Sequence, residues 1–271
     1  MPRFFETAKR LNSVLSCFPK LRRKIDSICV EYHQIQENLD YDINSNGERW
    51  LVQTLVGQNL LKNVFDVGAN HGDWAALVLQ ANPQATIHCF EICPPTFQKL
   101  STHLSAHKGN VVLNPFGLSD SAGDIKIKYC PDGDGGTTMF DTVLNLRTET
   151  ISARVTRGKD YCVEHGIKTI DCLKLDVEGA EHLVLRGFDN LLTPAKVPVV
   201  QFEYGLVNIL TKFLLRDFYA FFESRGYRVG KLFPTSVRFR EYRFHDEDFL
   251  GPNYVAAGPR LAELLEKKGS G

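Results

Sequence analysis

The sequence predicts a Rossmann-like α/β fold, in which a mostly parallel β-sheet carries helices on both faces. From residue 63 onward, short apolar runs alternate with segments that have the period of amphipathic helices. Strands that alternate with helices of about ten residues are typical of parallel sheets. The composition agrees, since 43% hydrophobic and 24% charged residues in a chain of 271 fit one globular domain plus an attachment.

The attachment is predicted at residues 1–45, as an amphipathic helical segment. Apolar residues recur there in steps of four and three, in the series Phe4, Ala8, Leu11, Leu15, Phe18 and the series Leu21, Ile25, Ile28, Tyr32, Ile35. The first 24 residues contain one acid, Glu6, beside the basic residues Arg3, Lys9, Arg10, Lys20, Arg22, Arg23 and Lys24. Two interpretations stay open: helices that pack on their own domain or on a second copy in a homodimer, or helices that contact a membrane surface or another anionic partner.

The α/β domain is predicted at residues 46–260, followed by a C-terminal tail at residues 261–271. The segment "SNGE" (Ser45–Glu48) matches a capping box and predicts a helix that starts there. The predicted strands are NVFDVG, TIHCFEI, VVLNPFGL, IDCLKLDVEG, VPVVQFEY, YRVGKLF and NYVAAG, and a hairpin-like interruption after VVLNPFGL contains the further strand GDIKIKY. The predicted helices are DWAALVLQA, TFQKLSTHLSAH, AEHLVLRGF and LTKFLLRDFYAFFESRG. The last three residues, "GSG", are interpreted as an expression scar.

Composition also predicts where the protein acts and which partners it lacks. The chain contains no apolar stretch of membrane-spanning length and no secretory signal pattern, so a cytoplasmic location is expected. Its seven cysteines include no Cys-x-x-Cys pair and are expected to be reduced and mostly buried. A formal net charge of zero argues against a nucleic-acid partner, because nucleic-acid-binding domains are usually basic.

Acidic residues stand at the ends of four predicted strands. They are Asp66, Glu91, the pair Asp176 and Glu178, and Glu203. In such a sheet, ligands bind beyond the carboxyl ends of the strands, so these side chains are expected to surround one site. A single acid there is explained as the N-cap of the next helix. Four acids at corresponding positions favour a ligand-binding site.

The first of these strands runs into a turn that contains two glycines, with the pattern Asp66-x-Gly68-x-Asn70-x-Gly72. Glycines allow close approach of a ligand to the backbone, and the following helix is expected to offer unpaired N–H groups. A nicotinamide site would have Gly-x-Gly-x-x-Gly, and an acid beside a pyrophosphate would repel it. The pattern therefore favours the cationic S-adenosylmethionine, with Glu91 placed to accept hydrogen bonds from ribose hydroxyls.

Five segments of the chain resemble the FkbM-type family of class I S-adenosylmethionine-dependent methyltransferases: FDVGANHGDW, CFEICP, GLSD, DCLKLDVEGAEHLVLRGF and VVQFEYG. The resemblance implies a seven-stranded sheet whose last strand, NYVAAG, runs antiparallel. It also implies O-methylation of a sugar, glycan or natural-product small molecule. The residues implied to hold the cofactor are Asp66, Gly68, Ala69, Asn70, Gly72, Glu91, Ile92 and Asp176. The family's usual "LDD" before a "GI" turn reads "RGKDY" here.

Methyl transfer to an alcohol needs a base, because an alcohol is a poor nucleophile at neutral pH. Asp176 and Glu178 alternate with Val177, so an extended segment would point both carboxylates to the same side. We predict Glu178 as the base, Asp176 at the junction of cofactor and acceptor, and Lys174 as the cation that orients them. The structural alternative is that Glu178 and Glu181 cap the next helix and that Lys174 is the buried partner of an acid.

Other assignments stay open at the level of sequence. His71 and His182 are alternative bases, and Asp176, Glu178 and Glu203 together resemble a divalent-ion site, although no metal is assigned. The glycine-rich segment "YCPDGDGGTTMF", residues 129–140, is the predicted source of acceptor selectivity. Alternative functions are an N-methyltransferase, a nicotinamide-dependent oxidoreductase and a non-catalytic cofactor-binding module.

Overall fold

The computed structural model describes residues 2–107, 109–131, 138–139 and 147–266. Its strands are β1 (Asn63–Val67), β2 (Thr86–Phe90), β3 (Val111–Asn114), β4 (Gly117–Ser119), β5 (Gly123–Tyr129), β6 (Glu149–Arg157), β7 (Cys172–Leu175), β8 (Val199–Glu203), β9 (Arg228–Phe233), β10 (Ser236–Phe239) and β11 (Asn253–Ala257). Its α-helices are α1 (Pro2–Leu15), α2 (Pro19–Gln36), α3 (Glu48–Gly57), α4 (Asp73–Ala81), α5 (Pro94–His103), α6 (Gly158–Glu164), α7 (Glu181–Phe188), α8 (Val207–Thr211), α9 (Leu215–Glu223) and α10 (Pro259–Leu265).

The central sheet has eight strands within the described ranges, in the order β10, β9, β11, β8, β7, β1, β2, β3. The pairs of β1 with β2 and β7, of β2 with β3, and of β7 with β8 are parallel. Strand β11 lies antiparallel between β8 and β9, which confirms the predicted antiparallel last strand. Strand β10 pairs with β9 as a hairpin and adds an eighth strand, which the sequence pattern does not predict.

A second sheet has three strands among the described residues, in the order β4, β6, β5. The segment VVLNPFGL was predicted as one strand, and this prediction is wrong. Its first half is β3 of the central sheet and its second half is β4 of the small sheet. Pro115 separates them, and a proline interrupts a strand because it donates no ladder hydrogen bond.

Apolar side chains cover both faces of the central sheet, as predicted. Leu51 of α3 and Val78 of α4 belong to one buried cluster, whereas Val184 of α7 and Phe218 of α9 belong to the other. The long predicted helix LTKFLLRDFYAFFESRG is two helices, α8 and α9, which Lys212 separates in a left-handed conformation. Helix α10 starts within the predicted α/β domain and extends into the predicted tail, where Leu265 is fully buried.

Helix α3 exists as predicted, but the predicted capping box does not form. The N-cap is Gly47, and the hydroxyl of Ser45 donates to the carboxylate of Asp40 at 2.6 Å. Glu48 instead points into the protein, where its carboxylate accepts a hydrogen bond from Gln201 at 2.6 Å. Glu48 thus makes a buried contact with a residue distant in the chain instead of capping its own helix.

None of the helices in the described ranges combines the length and apolar character that crossing a bilayer requires.

Candidate active site

A cleft of about 360 Å³ opens at the carboxyl ends of β1, β2, β7 and β8. Strands β1 and β7 are neighbours in the sheet although they are distant in the chain, so the strand order reverses between them. Ligands of such sheets bind at the carboxyl ends of the strands beside this reversal. An apolar wall comes from the small sheet, with Ile125, Ile127 and Val155. The predicted site residues that line this cleft are Gly68, Asn70, Glu91, Ile92, Asp176 and Glu178.

A second cleft of about 380 Å³ adjoins the first and is more polar. Both clefts are lined by Tyr41, Gly68, Asn70, Asp176 and Glu203, so they meet above the glycine turn. Ala69, His71 and Lys174 line the second cleft alone. The structure therefore divides these residues between two adjoining compartments, whereas Asp66 and Gly72, also predicted to hold the cofactor, line neither cleft.

The two glycines of the turn are required by the protein's own packing. Gly68 has φ +83°, and a Cβ atom there would overlap the carbonyl oxygen of Asp176. Gly72 has φ +89°, and its Cβ would lie 2.7 Å from a methyl carbon of Leu100. Side chains rarely adopt such φ values. The expectation that a ligand against the backbone explains both glycines is therefore corrected, because neighbouring protein atoms already exclude a Cβ at each position.

The N–H groups of this turn are already bonded within the protein. Those of Gly68 and Ala69 both donate to the carbonyl of Phe90 at 2.9 Å, and that of Asn70 donates to the Glu91 carboxylate at 2.9 Å. The unpaired N–H groups predicted at the start of α4 stay a prediction, but the turn offers no free donor at Gly68, Ala69 and Asn70. A pyrophosphate would need such donors, so the geometry disfavours a dinucleotide. In contrast, the Oδ1 atom of Asn70 is buried without a hydrogen-bond partner among the described residues.

Glu91 joins the turn to the end of β2. One carboxylate oxygen accepts from the N–H of Asn70, and the other accepts from the N–H of Cys93 at 2.8 Å. Burial raises the pKa of Glu91 to about 7, although the two N–H donors oppose that shift. Each carboxylate oxygen can accept a second hydrogen bond, so Glu91 can hold the turn and still bind a ligand in the cleft that it lines.

Lys174 is buried between two acids. Its ammonium lies 2.9 Å from the carboxylate of Asp176 and 3.8 Å from that of Asp66, the register partner of Lys174 on β1. Burial by itself would lower the pKa of Lys174, but Asp176 and Asp66 together hold it above its usual value. Burial raises the pKa of Asp66 to about 6, against the opposing effect of Lys174. Asp66 is fully buried and lines neither cleft, so it contacts Lys174 rather than the cleft.

Three carboxylates converge where the two clefts meet. One oxygen each of Asp176, Glu178 and Glu203 lies within 4.8 Å of the others. The predicted convergence of Asp176 and Glu178 is present, but its predicted cause is wrong. Strand β7 ends at Leu175, and Glu178 has φ +51°, so a left-handed turn and not strand alternation brings the carboxylates together.

The three carboxylates differ in their proton affinity. Burial and the nearby Asp176 raise the pKa of Glu178 to about 8. Burial and Asp176 also raise that of Glu203 well above its usual value. Burial would raise the pKa of Asp176 too, but Lys174 holds it below its usual value. The spacing suits a cation as well as a shared proton, and the absence of a metal stays a prediction.

The neighbouring residues of this segment have structural contacts. One carboxylate oxygen of Glu181 accepts from the N–H groups of Val177 and Gly179, at 3.0 and 3.3 Å, so Glu181 stabilises the turn before α7. His182 stacks on Phe213 with ring centroids 5.1 Å apart and lines neither cleft. Of the two histidines considered as bases, only His71 lines a cleft.

Several residues of the site were not predicted from the sequence. Tyr41, which is 73% exposed, lines both clefts and belongs to no quoted motif. Ser119 of the GLSD segment and Met139 of the glycine-rich segment line the first cleft, although neither was predicted as a site residue. Thr138 donates its hydroxyl hydrogen bond to the carbonyl of Glu178 at 2.8 Å, so the predicted selectivity segment does reach the site. Residues 132–137 and 140 of that segment lie outside the described residues.

This sheet order, with a cleft at the switch point and acids at the strand ends, defines the class of Rossmann-like class I methyltransferases. Residues 66–229 match the model of the methyltransferase FkbM domain. The chain belongs to this family. It is an S-adenosylmethionine-dependent methyltransferase, and the nicotinamide alternative is set aside.

Three relatives illustrate the range of the family. The chain is 30% identical over 178 residues to the hexuronic acid methyltransferase AglP of Haloferax volcanii. The aligned region covers 61% of this chain and 71% of that protein. The chain is 30% identical over 154 residues to the 31-O-demethyl-FK506 methyltransferase FkbM of Streptomyces tacrolimicus, covering 47% and 59%. It is 29% identical over 157 residues to the 2-O-methyltransferase NoeI of Sinorhizobium fredii, covering 52% and 63%. The chain thus spans less than two thirds of the last two relatives.

Proposed function

We propose that the protein transfers a methyl group from S-adenosylmethionine to a hydroxyl of a sugar, glycan or other natural-product small molecule. The observation that carries this proposal is the group of three carboxylates at the junction of the two clefts. A hydroxyl acceptor must lose a proton, and a carboxylate with a raised pKa can take it. The names of the three relatives, which include a hexuronic acid and a 2-O-methyltransferase, support this acceptor class.

The first cleft fits the cofactor. We assign cofactor contacts to Gly68, Asn70, Glu91, Ile92 and Asp176, which line this cleft, and to Ala69, which lines the adjoining one. Acidic lining suits a ligand with sulfonium and ammonium groups, and the apolar wall suits an adenine ring. The unpartnered Asn70 Oδ1 offers an acceptor for a donor on the ligand. When bound, the cofactor supplies an electrophilic methyl group.

Two predicted cofactor residues act from behind the cleft in this proposal. The buried carboxylate of Asp66 lies beside the ammonium of Lys174, and the absence of a side chain at Gly72 allows the start of α4 to pack against Leu100. Lys174 keeps Asp176 ionised, and the ionised Asp176 in turn raises the proton affinity of Glu178. Glu178 then removes the acceptor proton, at a position that water reaches less as the cleft fills.

Direct assay of methyl transfer tests the acceptor class. We expect that incubation with methyl-labelled S-adenosylmethionine and a panel of glycosides, amino sugars and macrolides labels at least one hydroxylated acceptor, with the methyl group located on oxygen by mass spectrometry. The same assay with a chelator tests whether the carboxylates use a divalent ion. Transfer to nitrogen alone would replace the proposed O-methylation by N-methylation.

Calorimetric titration tests the cofactor site separately from the acceptor. We expect S-adenosylhomocysteine to bind and NADH to give no heat, because the N–H groups of Gly68, Ala69 and Asn70 are already bonded within the protein and do not receive a pyrophosphate. Glu91→Ala should weaken binding at least about tenfold, since it removes a ligand contact and frees the Asn70 N–H. Glu164→Ala, at an exposed position, is the matched control. Binding without transfer to any acceptor would favour a non-catalytic cofactor-binding module.

The proposed location is the cytoplasm. Five of the seven cysteines are buried, and no disulfide forms among the described residues. Reduced thiols are typical of proteins in reducing compartments. We further propose residues 1–45 as the attached helical segment, residues 46–260 as the methyltransferase domain and residues 261–271 as a tail.

A further inference from the structure

Helices α1 and α2 form an arm that is fixed to the domain at its C-terminal end. Among the described side chains of residues 4–36, only that of Leu15 is buried. The arm ends at Asn38, whose side-chain amide donates to the carbonyls of Asn46 and Leu232 at 2.8 and 3.0 Å. The carboxylate of Glu37 lies 3.1 Å from the ammonium of Lys231. The interpretation that these helices pack on their own domain is therefore wrong for α1 and α2.

The arm exposes a large apolar surface. Each of the following apolar side chains is at least half exposed: Phe4, Phe5, Leu11, Val14, Phe18, Leu21, Ile28, Val30, Tyr32 and Ile35. Most of them recur in steps of three and four, so they share one face of each helix. Isolated exposed apolar residues need no explanation, but a contiguous apolar face of this size marks an interaction surface.

Charge separates the arm from the rest of the protein. The first 36 residues contain seven Lys or Arg and three Asp or Glu, of 32 and 32 in the chain, which leaves 25 basic and 29 acidic residues elsewhere. The arm thus has four more basic than acidic residues, and the remainder has four more acidic ones. Its basic residues include Lys9 and Arg10 on α1 and Arg22, Arg23 and Lys24 at the start of α2.

We propose that this arm binds an anionic lipid surface, lying flat with its apolar face in the headgroup region. A helix with an apolar face and a basic polar face binds such surfaces through buried apolar area and attraction to acidic lipids. The other candidate occupant is the arm of a second copy. An arm-to-arm dimer would bring two basic segments together, whereas an anionic surface complements them.

The position of the arm connects this surface to the catalytic cleft. Tyr41, three residues after Asn38 at the end of the arm, lines both clefts. When the arm binds a lipid surface, its C-terminal end at Asn38 and the adjacent cleft therefore lie close to that surface. This arrangement favours an acceptor that is itself carried by the membrane.

Co-sedimentation of the full chain with vesicles tests the proposal. The vesicles are phosphatidylcholine alone, and phosphatidylcholine with about a third phosphatidylserine. We expect binding to the anionic vesicles, at least about tenfold weaker binding to the neutral ones, and release as ionic strength rises from about 0.1 to about 1 M. The triple variant Arg22→Glu, Arg23→Glu, Lys24→Glu should lose at least about tenfold in binding.

A matched control carries the same change in net charge outside the arm. Lys168→Glu, Lys196→Glu and Arg260→Glu reverse three exposed positive charges on the domain and should leave vesicle binding nearly unchanged. A second arm variant, Phe4→Ser with Leu11→Ser and Phe18→Ser, should also lose binding. S-adenosylhomocysteine titration verifies that each variant is folded, because no residue of the arm lines either cleft.

Two results would overturn the proposal. Equal affinity for both vesicle types, or no binding to either, excludes an anionic lipid as the occupant. A dimer in light scattering that binds no vesicles, and that the Phe4, Leu11 and Phe18 variant converts to monomer, assigns the apolar face to a second copy.

Discussion

Glu178→Gln should lower kcat for methyl transfer about 10²- to 10⁴-fold and leave the affinity for S-adenosylhomocysteine within about threefold of the native value. The amide retains the size of the side chain but cannot take a proton. Glu178 lines the first cleft beside Asp176 and Glu203, and its main-chain carbonyl is held by Thr138. The measurement is steady-state transfer with the best acceptor from the panel, together with calorimetric titration of the variant.

The pH profile gives this prediction a second readout. The base acts as a carboxylate, and its pKa is raised to about 8 by burial and by Asp176. The transfer rate should therefore rise with pH up to about 8 and level off above it, and Glu178→Gln should remove this dependence. Glu164→Gln, at an exposed position, is the control and should leave both rate and profile unchanged. An unchanged transfer rate in the Glu178→Gln variant would contradict this assignment and would indicate Glu203 or His71 as the base.

Parts of this site could be predicted from the sequence because they depend on local pattern. The alternation of strands and helices predicts which residues stand at strand ends. Glu91, Asp176 and Glu203 were predicted in this way to surround one site, and all three line the first cleft. The reason for the glycines could not be found in this way. Gly68 is needed where the chain meets Asp176, a contact between residues more than a hundred positions apart that no local pattern encodes.

Other features were missed because they depend on tertiary context. The position of Glu178 follows from a left-handed turn, whereas the sequence suggested continued extension. The strand GDIKIKY was predicted, but its place in a small sheet that forms one wall of the cleft was not, and Tyr41 belongs to no quoted motif. Asp66 looked like a ligand contact because it precedes the glycine turn, but its side chain points to the buried Lys174. A motif thus identifies residues that matter without stating what they touch.

Lys174→Met should reduce the free energy of unfolding by about 3–5 kcal/mol at pH 8. The substitution leaves Asp66 fully buried, with both carboxylate oxygens lacking a hydrogen-bond partner among the described residues. An uncompensated buried charge is costly, whereas the native pair offsets that cost. Loss of Lys174 removes the effect that lowers the pKa of Asp66, so that pKa rises above about 6. Urea unfolding at pH 8 and about pH 5.5 measures the loss.

The sign of the pH effect distinguishes this cause from lost packing. In the variant, Asp66 binds its proton more tightly in the folded than in the unfolded state, so folding stability falls as pH rises through the folded pKa. The loss should therefore be smaller at pH 5.5 than at pH 8, and Asp66→Asn combined with Lys174→Met should recover part of it. Lys231→Met is the matched control, because Lys231 is also buried but its partners Glu37 and Asp248 have side chains that are 19% and 18% exposed and can regain water. Equal losses in the two variants, independent of pH, would mean that Lys174 contributes by packing alone and that Asp66 is already protonated in the native protein.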